Sequence, residues 1–281
     1  MSSRVVPVAP GVLIRGGEMQ LLDHPWQPGY AEYFRTGQCD GLLVGDGDLG
    51  WLPTVPGLKR LRLGSGTGAL APVADCASLT LLGLPLHGRR GGFDFSRLAA
   101  LEVLETPVLP GFETLRSVTS LRELTVVHWR DQALTELGPK PNLTFLRIAC
   151  VRGRELSMAG ANQLPALDLL WIEDGVLTDT DRLCEAEQLT DLRLVGAKTS
   201  TLAFAARLPR LRSLLLENCG PIDSVAPLAG HPALREVTIC GRTVIADGDL
   251  TPLTDHPALT QVALERGAPH YSHRPAEVRR G

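Results

Sequence analysis

The chain has 281 residues, of which 44% are hydrophobic, 5% aromatic and 21% charged. Its formal net charge of −3 excludes a protein that binds nucleic acid through its overall charge. The length suits one large domain or two small ones, and the composition excludes a disordered chain. The sequence contains no apolar run of the roughly 18 residues that a membrane-spanning helix needs.

The first 38 residues do not follow the pattern that organises the rest of the chain. They hold Trp26, Tyr30, Tyr33 and Phe34, a large share of the aromatic residues. Prolines and glycines stand where an export signal would carry its apolar run, so we expect no signal peptide. We interpret residues 1–38 as an N-terminal cap on the repeats that follow, because the end of a stacked repeat array needs cover.

From residue 39 to residue 266 the pattern L-x-x-L-x-L recurs at intervals of 20 to 25 residues. Its first leucines are Leu58, Leu79, Leu101, Leu121, Leu143, Leu167, Leu189, Leu211, Leu234 and Leu259. A degenerate copy, Cys39/Leu42/Val44, precedes them, and Thr106 is the polar exception among the core positions. The region is therefore predicted to be a repeat array.

The spacing within each copy indicates a short strand, because apolar residues two apart lie on the same face. One such strand cannot bury its own apolar side, so the copies must stack, with parallel strands and crossover connections. A proline commonly stands two positions before the first leucine of the following copy, where it ends any helical turn. Units of this length leave room only for short helical or 3₁₀ turns in the second half.

The pattern resembles the leucine-rich repeat, and in rhythm it is closest to the short bacterial repeats of internalin-like proteins. The best matching unit is 211–233, with Cys219 at the slot where that family has Asn or Cys. The resemblance implies an α/β solenoid: a right-handed horseshoe with a concave parallel sheet of about 10–11 short strands and short helical or 3₁₀ turns on its convex side. Most other units lack Asn at that slot, so we expect irregular loops along that edge.

The segment LGSGTG at 63–68 resembles the glycine-rich motif of S-adenosylmethionine-dependent methyltransferases. Arg62 stands where that family has an acidic residue, and Pro72 falls where its helix would run. The leucines before it already belong to a repeat, so this interpretation is disfavoured. We predict no catalytic, cofactor-binding or metal site, because no His, Cys, Asp or Glu cluster has ligand spacing.

Side chains between the core positions point away from the core, because successive residues of a strand alternate faces. In the middle of the array they form an apolar centre bordered by charges, as at protein-binding hot spots. The predicted partner-binding residues are Glu123, Phe145, Arg147, Leu169, Trp171, Asp191, Arg193 and Leu215. His128, Trp129, Arg130 and Arg152 extend this surface. The alternative is that these side chains pack only against one another or lie under the C-terminal segment.

The sequence therefore predicts a non-enzymatic module that binds a partner protein on the concave face of the array. The resemblance implies partner recognition, without nucleic acid, membrane or small-molecule substrate. Two alternatives remain: a regulatory or inhibitory subunit of a toxin or enzyme, and the disfavoured methyltransferase. Cysteines without disulfide spacing and a composition typical of GC-rich genomes lead us to expect a cytoplasmic, bacterial protein. Residues 267–281 are predicted to form a flexible tail.

Overall fold

The computed structural model describes residues 5–85 and 91–279. The chain divides into two compact units, Met1–Val126 and Val127–Gly281. No helix within the described ranges is long and apolar enough to cross a bilayer.

The first unit begins with an antiparallel meander of three strands, β1 (Val5–Ala9), β2 (Val12–Arg15) and β3 (Glu18–Leu21). A 3₁₀ turn, Pro28–Tyr30, and α1 (Ala31–Arg35) follow. Strand β3 pairs in parallel with β4 (Gly41–Gly47), which is the strand of the degenerate copy. The N-terminal segment thus extends the sheet beside the first repeat strand.

The remaining strands of the first unit come one from each repeat. They are β5 (Arg60–Thr67), β6 (Leu81–Gly83), β7 (Val103–Pro107) and the start of β8 (Glu123–Trp129). Strands β4 to β7 pair in parallel with their neighbours. The second halves of these repeats contain 3₁₀ helices at Leu52–Thr54, Ala71–Asp75, Phe95–Arg97 and Phe112–Ser117.

The second unit continues the same plan. Its strands are β9 (Gln132–Ala133), β10 (Phe145–Cys150), β11 (Glu155–Ser157), β12 (Leu169–Glu173), β13 (Val176–Thr178), β14 (Asp191–Val195), β15 (Ser213–Glu217), β16 (Pro221–Ile222), β17 (Glu236–Cys240), β18 (Val244–Ile245) and β19 (Gln261–Leu264). Strands β10, β12, β14, β15, β17 and β19 form a parallel series. The others form two small parallel sheets, β9–β11–β13 and β16–β18.

Short helical turns connect these strands, as the unit length predicts. The 3₁₀ helices are Leu134–Leu137, Ala161–Gln163, Thr180–Glu185, Ala205–Arg207 and Ala226–Leu228, and the α-helices are α2 (Thr251–Thr254) and α3 (Pro275–Val278). Every first, fourth and sixth position of the ten repeats is at most 5% exposed. The hydroxyl of Thr106 is buried with the residue, and it is satisfied by donating a hydrogen bond to Pro107 O at 2.9 Å. The predicted burial of the core positions is confirmed, and several repeats of the second unit carry a second short strand that was not predicted.

The glycines of residues 63–68 have a structural role within the sheet. Strand β5 pairs in parallel with β4, and a Cβ at Gly64 would overlap Gly45 O, while one at Gly66 would overlap the Asp46 carboxylate. The segment leads into the 3₁₀ helix Ala71–Asp75. The close approach of β4 therefore accounts for these glycines without a cofactor.

The edge slot that holds Asn in regular repeats is filled here by other side chains. Cys219 donates its Sγ–H to Leu194 O at 3.2 Å, and its backbone N–H donates to Thr243 Oγ1 at 3.1 Å. Trp129 takes the equivalent place in its repeat, where its Nε1–H donates to Gln132 O at 3.1 Å. The loops therefore satisfy their backbone groups by varied means.

The segment predicted to be a flexible tail makes long-range contacts within its described part, up to residue 279. Tyr271 Oη accepts from Ile245 N–H at 2.9 Å, and Ser272 Oγ accepts from Leu250 N–H at 2.9 Å. Val278 on α3 is fully buried. A composition rich in Pro, Arg and His gave no sign of these long-range contacts, which fix the segment against the last repeat.

Candidate functional site

The side chains predicted to form the binding surface lie in two aligned rows on the second unit. Parallel register places Phe145, Leu169, Asp191 and Ser213 in one row, and Arg147, Trp171, Arg193 and Leu215 in the next. Adjacent strands lie about 4.8 Å apart, so neighbours in a row are in contact range. We call these two rows, with Glu173, the strand face.

Trp171 lies between two arginines at the middle of the strand face. The guanidinium carbon of Arg147 is 4.8 Å from the centre of the Trp171 ring, and that of Arg193 is 5.8 Å away. Both distances allow cation–π attraction. The neighbouring strands thus supply two cations that hold the ring in place.

Each of these arginines is also fixed by a carboxylate. Arg147 donates from Nε and Nη2 to Glu173 at 3.0 and 2.9 Å, and Arg193 donates from Nε and Nη2 to Asp191 at 3.1 and 2.9 Å. The hydrogen bond to Asp191 raises the pKa of the Arg193 guanidinium. Two-point pairing sets the plane of a guanidinium and leaves its remaining N–H groups free to donate outward.

The apolar centre is less open than the sequence predicts. Phe145, Leu169, Trp171 and Leu215 are all half-buried. Trp171 Nε1 is shielded from solvent and has no hydrogen-bond acceptor among the residues that the structure describes. The flanking arginines therefore cover part of the ring, and its indole N–H is a donor left unsatisfied in the unbound chain.

Some predicted residues lie elsewhere. Glu123 belongs to the first unit, where it is exposed at the start of β8. The predicted contribution of Trp129 to the surface is wrong, because its side chain is fully buried. His128 adopts a left-handed conformation with φ 61°, and this turn places its own side chain outward and that of Trp129 inward. Arg130 and Arg152 are exposed.

Glu173 is a strand-face residue that the sequence analysis missed. It occupies the seventh position of its repeat, which the alternation of faces places on the same side as the third and fifth positions. Extending the pattern by two residues would have found it. Among the described residues, no three His, Cys, Asp or Glu side chains group as metal ligands.

The architecture matches solved structures. An internalin from Listeria monocytogenes superposes with a TM-score of 0.60 at 18% sequence identity, over 75% of this chain and 64% of that chain. The chain has the leucine-rich-repeat fold. A leucine-rich-repeat protein from Leptospira interrogans gives a TM-score of 0.50 at 12% identity, over 90% of this chain and 78% of that one. The chain thus spans slightly less than two thirds of the internalin's length. No family model and no curated protein sequence matches it.

Leucine-rich-repeat loops border the strand face at the carboxyl ends of its strands. There a groove of about 470 Å³ is lined by Glu173, Asp174 and Asn218 together with the cations Arg152, Lys198 and Arg242. Asp174 and Asn218 adopt left-handed conformations, which form the tight turns of these loops. Lys198 and Arg242 were not predicted, because loop positions follow no face alternation.

Proposed function

We propose that the chain is a non-enzymatic protein-binding module and that the strand face is its binding surface. The observation that carries the proposal is Trp171, half-buried between the guanidinium groups of Arg147 and Arg193. Trp and Arg are the residues most enriched at the energetic centres of protein interfaces. A partner can pack on the accessible part of the ring and accept hydrogen bonds from the outward N–H groups of the two arginines.

The rigidity of the strand face supports the proposal. Its side chains stand on paired strands, and its arginines are fixed by Glu173 and Asp191. A partner therefore meets groups that are already oriented, so less conformational entropy is lost on binding. The ion pairs at the border of the apolar centre favour orientation and specificity over affinity.

Binding rather than catalysis agrees with the chemistry of the strand face. Its carboxylates at Glu173 and Asp191 are each occupied by hydrogen bonds from an arginine. The half-buried side chains between them are apolar. We further propose a reducing compartment such as the bacterial cytoplasm, since all six cysteines are free thiols and four of them are buried.

The test compares the partners captured by the unaltered chain and by Trp171→Ala. Both are immobilised at equal density and exposed to a lysate of the native host, and bound proteins are quantified by mass spectrometry. We expect at least one protein to bind the unaltered chain and to fall at least tenfold with Trp171→Ala. Arg182→Ala, which removes an exposed ion pair with Glu185 on a 3₁₀ helix, is the matched control and should retain it.

Circular dichroism and urea unfolding establish that both variants remain folded. If Trp171→Ala captures the same proteins in the same amounts as the unaltered chain, the strand face is not the binding surface.

A further inference from the structure

The first unit carries a groove of about 500 Å³ at the carboxyl ends of β3 and β4. The side chains that matter in it are Leu22, Asp23, Trp26, Asp46, Asp48 and Trp51, and we call it the indole groove. Because β3 and β4 are parallel neighbours, the loops that leave them meet at this edge. Its volume is in the range of sites that take one or two side chains or a small ligand.

Two tryptophans form the aromatic part of the indole groove. The rings of Trp26 and Trp51 stack with their centres 4.9 Å apart and their planes 4° apart. The Trp26 ring also makes edge contacts with the rings of Tyr30 and Phe34, with ring centres 5.8 and 5.9 Å apart. Trp51 donates its Nε1–H to Asp48 O at 2.8 Å. Both rings are half-buried, so they are fixed in place while part of their surface faces the groove.

Three carboxylates line the indole groove. Asp23, Asp46 and Asp48 are exposed, and in the described part of the chain none of them forms an ion pair. The carboxylates of Glu18 and Asp40, at the amino ends of β3 and β4, are instead paired with Arg62 and Arg60. The groove therefore combines indole rings with three carboxylates that form no ion pair with any described residue.

An exposed apolar side chain lies at the same place. Leu22 is 46% exposed, which is unusual in the described residues of this chain, where few large apolar side chains reach that exposure. It forms an apolar rim next to Trp26 and the carboxylates. An aliphatic stem that ends in a cation would meet Leu22, an indole face and a carboxylate in turn.

We propose that the indole groove binds an arginine-containing basic segment of a partner protein. A guanidinium stacks flat on tryptophan better than other cations do, and its N–H fork matches a carboxylate. The three methylenes of arginine match the apolar rim. This site uses residues of the first unit alone and does not depend on the function proposed for the strand face.

The test uses the full chain and a tetra-arginine peptide with blocked ends, titrated by calorimetry at low salt. The matched peptide contains citrulline, which has nearly the same shape as arginine without the charge. We expect tetra-arginine to bind at least tenfold more tightly than tetra-citrulline. The double variant Asp46→Asn, Asp48→Asn, which keeps the side-chain shapes, should weaken tetra-arginine binding at least tenfold.

The control removes two exposed carboxylates elsewhere in the first unit, with Glu105→Gln and Glu113→Gln, and should change affinity less than twofold. Indole N–H resonances report the position of the peptide, and those of Trp26 and Trp51 should shift, each assigned with its Phe variant. The proposal is overturned if tetra-arginine does not bind at 5 mM, if the Asn variant binds as the unaltered chain does, or if only the Trp171 resonance moves.

Discussion

The guanidinium of Arg147 lies 4.8 Å from the centre of the Trp171 ring while it donates two hydrogen bonds to Glu173. The fifth positions of two neighbouring repeats and the seventh position of the second repeat thus form one assembly of cation, ring and carboxylate. The register between β10 and β12 places Arg147 beside Trp171, and the alternation along β12 places Glu173 two residues further on the same face. The arrangement follows from the repeat itself.

Replacing Arg147 with alanine should uncover the Trp171 ring. The variant removes the cation and the aliphatic stem that cover one side of the indole. We expect a red-shifted emission of Trp171 and stronger quenching by acrylamide, measured as the difference from Trp171→Phe. Because both charged partners are partly exposed, the free energy of unfolding should fall by no more than about 1 kcal/mol.

Arg154→Ala breaks an exposed ion pair with Asp131 and serves as the control. It should leave the emission of Trp171 unchanged. Equal quenching in Arg147→Ala and the unaltered chain would show that the arginine does not cover the ring.

The hydroxyl of Thr243 should be more important for stability than its methyl group. It accepts from Cys219 N–H and donates to Leu216 O, both at 3.1 Å, and the residue is buried. Thr243→Val keeps the volume but leaves these buried groups without a partner, which costs about 1–3 kcal/mol. Thr243→Ser keeps the hydroxyl and loses one methyl group, so it should cost about 0.8 kcal/mol. Urea unfolding of both variants distinguishes the two contributions, and a smaller loss in Thr243→Val than in Thr243→Ser would contradict the assignment.

The six thiols should differ sharply in reactivity. Burial raises the pKa of Cys150 and Cys219 to about 12 and that of Cys76 to about 11. These groups are protonated at pH 8, whereas Cys184 is half-exposed. We expect iodoacetamide to label Cys184 in the native protein, and to label Cys76, Cys150 and Cys219 only after unfolding, as read by mass spectrometry.

The same shifts predict how stability depends on pH. An unfolded thiol loses its proton near pH 8.5, while the folded chain keeps it up to about pH 11 or 12. The unfolded state therefore binds fewer protons over this window, and the free energy of unfolding should fall as the pH rises through it. Native labelling of Cys150 or Cys219 at the rate of Cys184 would contradict both expectations.

The interior of the repeats could be predicted from the sequence because it depends on neighbours in a fixed pattern. Leu124, Leu170 and Leu214 are buried as the spacing requires. His231 and His256 occupy equivalent repeat positions, and their Nδ1 atoms accept from the backbone N–H groups of Leu234 and Leu259 at 3.1 and 3.2 Å. Periodicity determines such contacts because each repeat presents the same groups to the next.

Features that depend on single turns or on long-range pairing could not be predicted in this way. The burial of Trp129 depends on the left-handed turn at His128, for which periodicity gives no signal. The half-burial of Trp171 depends on the side-chain conformations of the neighbouring arginines. Arg147 and Arg193 lie against the ring and at the same time pair with Glu173 and Asp191. Alternation gives the face on which a side chain lies but not the neighbours it covers.

The C-terminal segment offers the sharpest contrast between composition and structure. Tyr271 Oη accepts from the backbone N–H of Ile245, a buried residue 26 positions earlier. Tyr271→Phe removes the acceptor and leaves that N–H unsatisfied, so we expect a loss of about 1–3 kcal/mol in the free energy of unfolding. Hydrogen exchange at the Ile245 amide should accelerate. Tyr33→Phe, which removes a hydroxyl from a half-buried tyrosine of α1, is the matched control and should leave Ile245 unchanged. If Ile245 exchanges equally fast in the unaltered chain and in Tyr271→Phe, the segment is the mobile tail that its composition predicts.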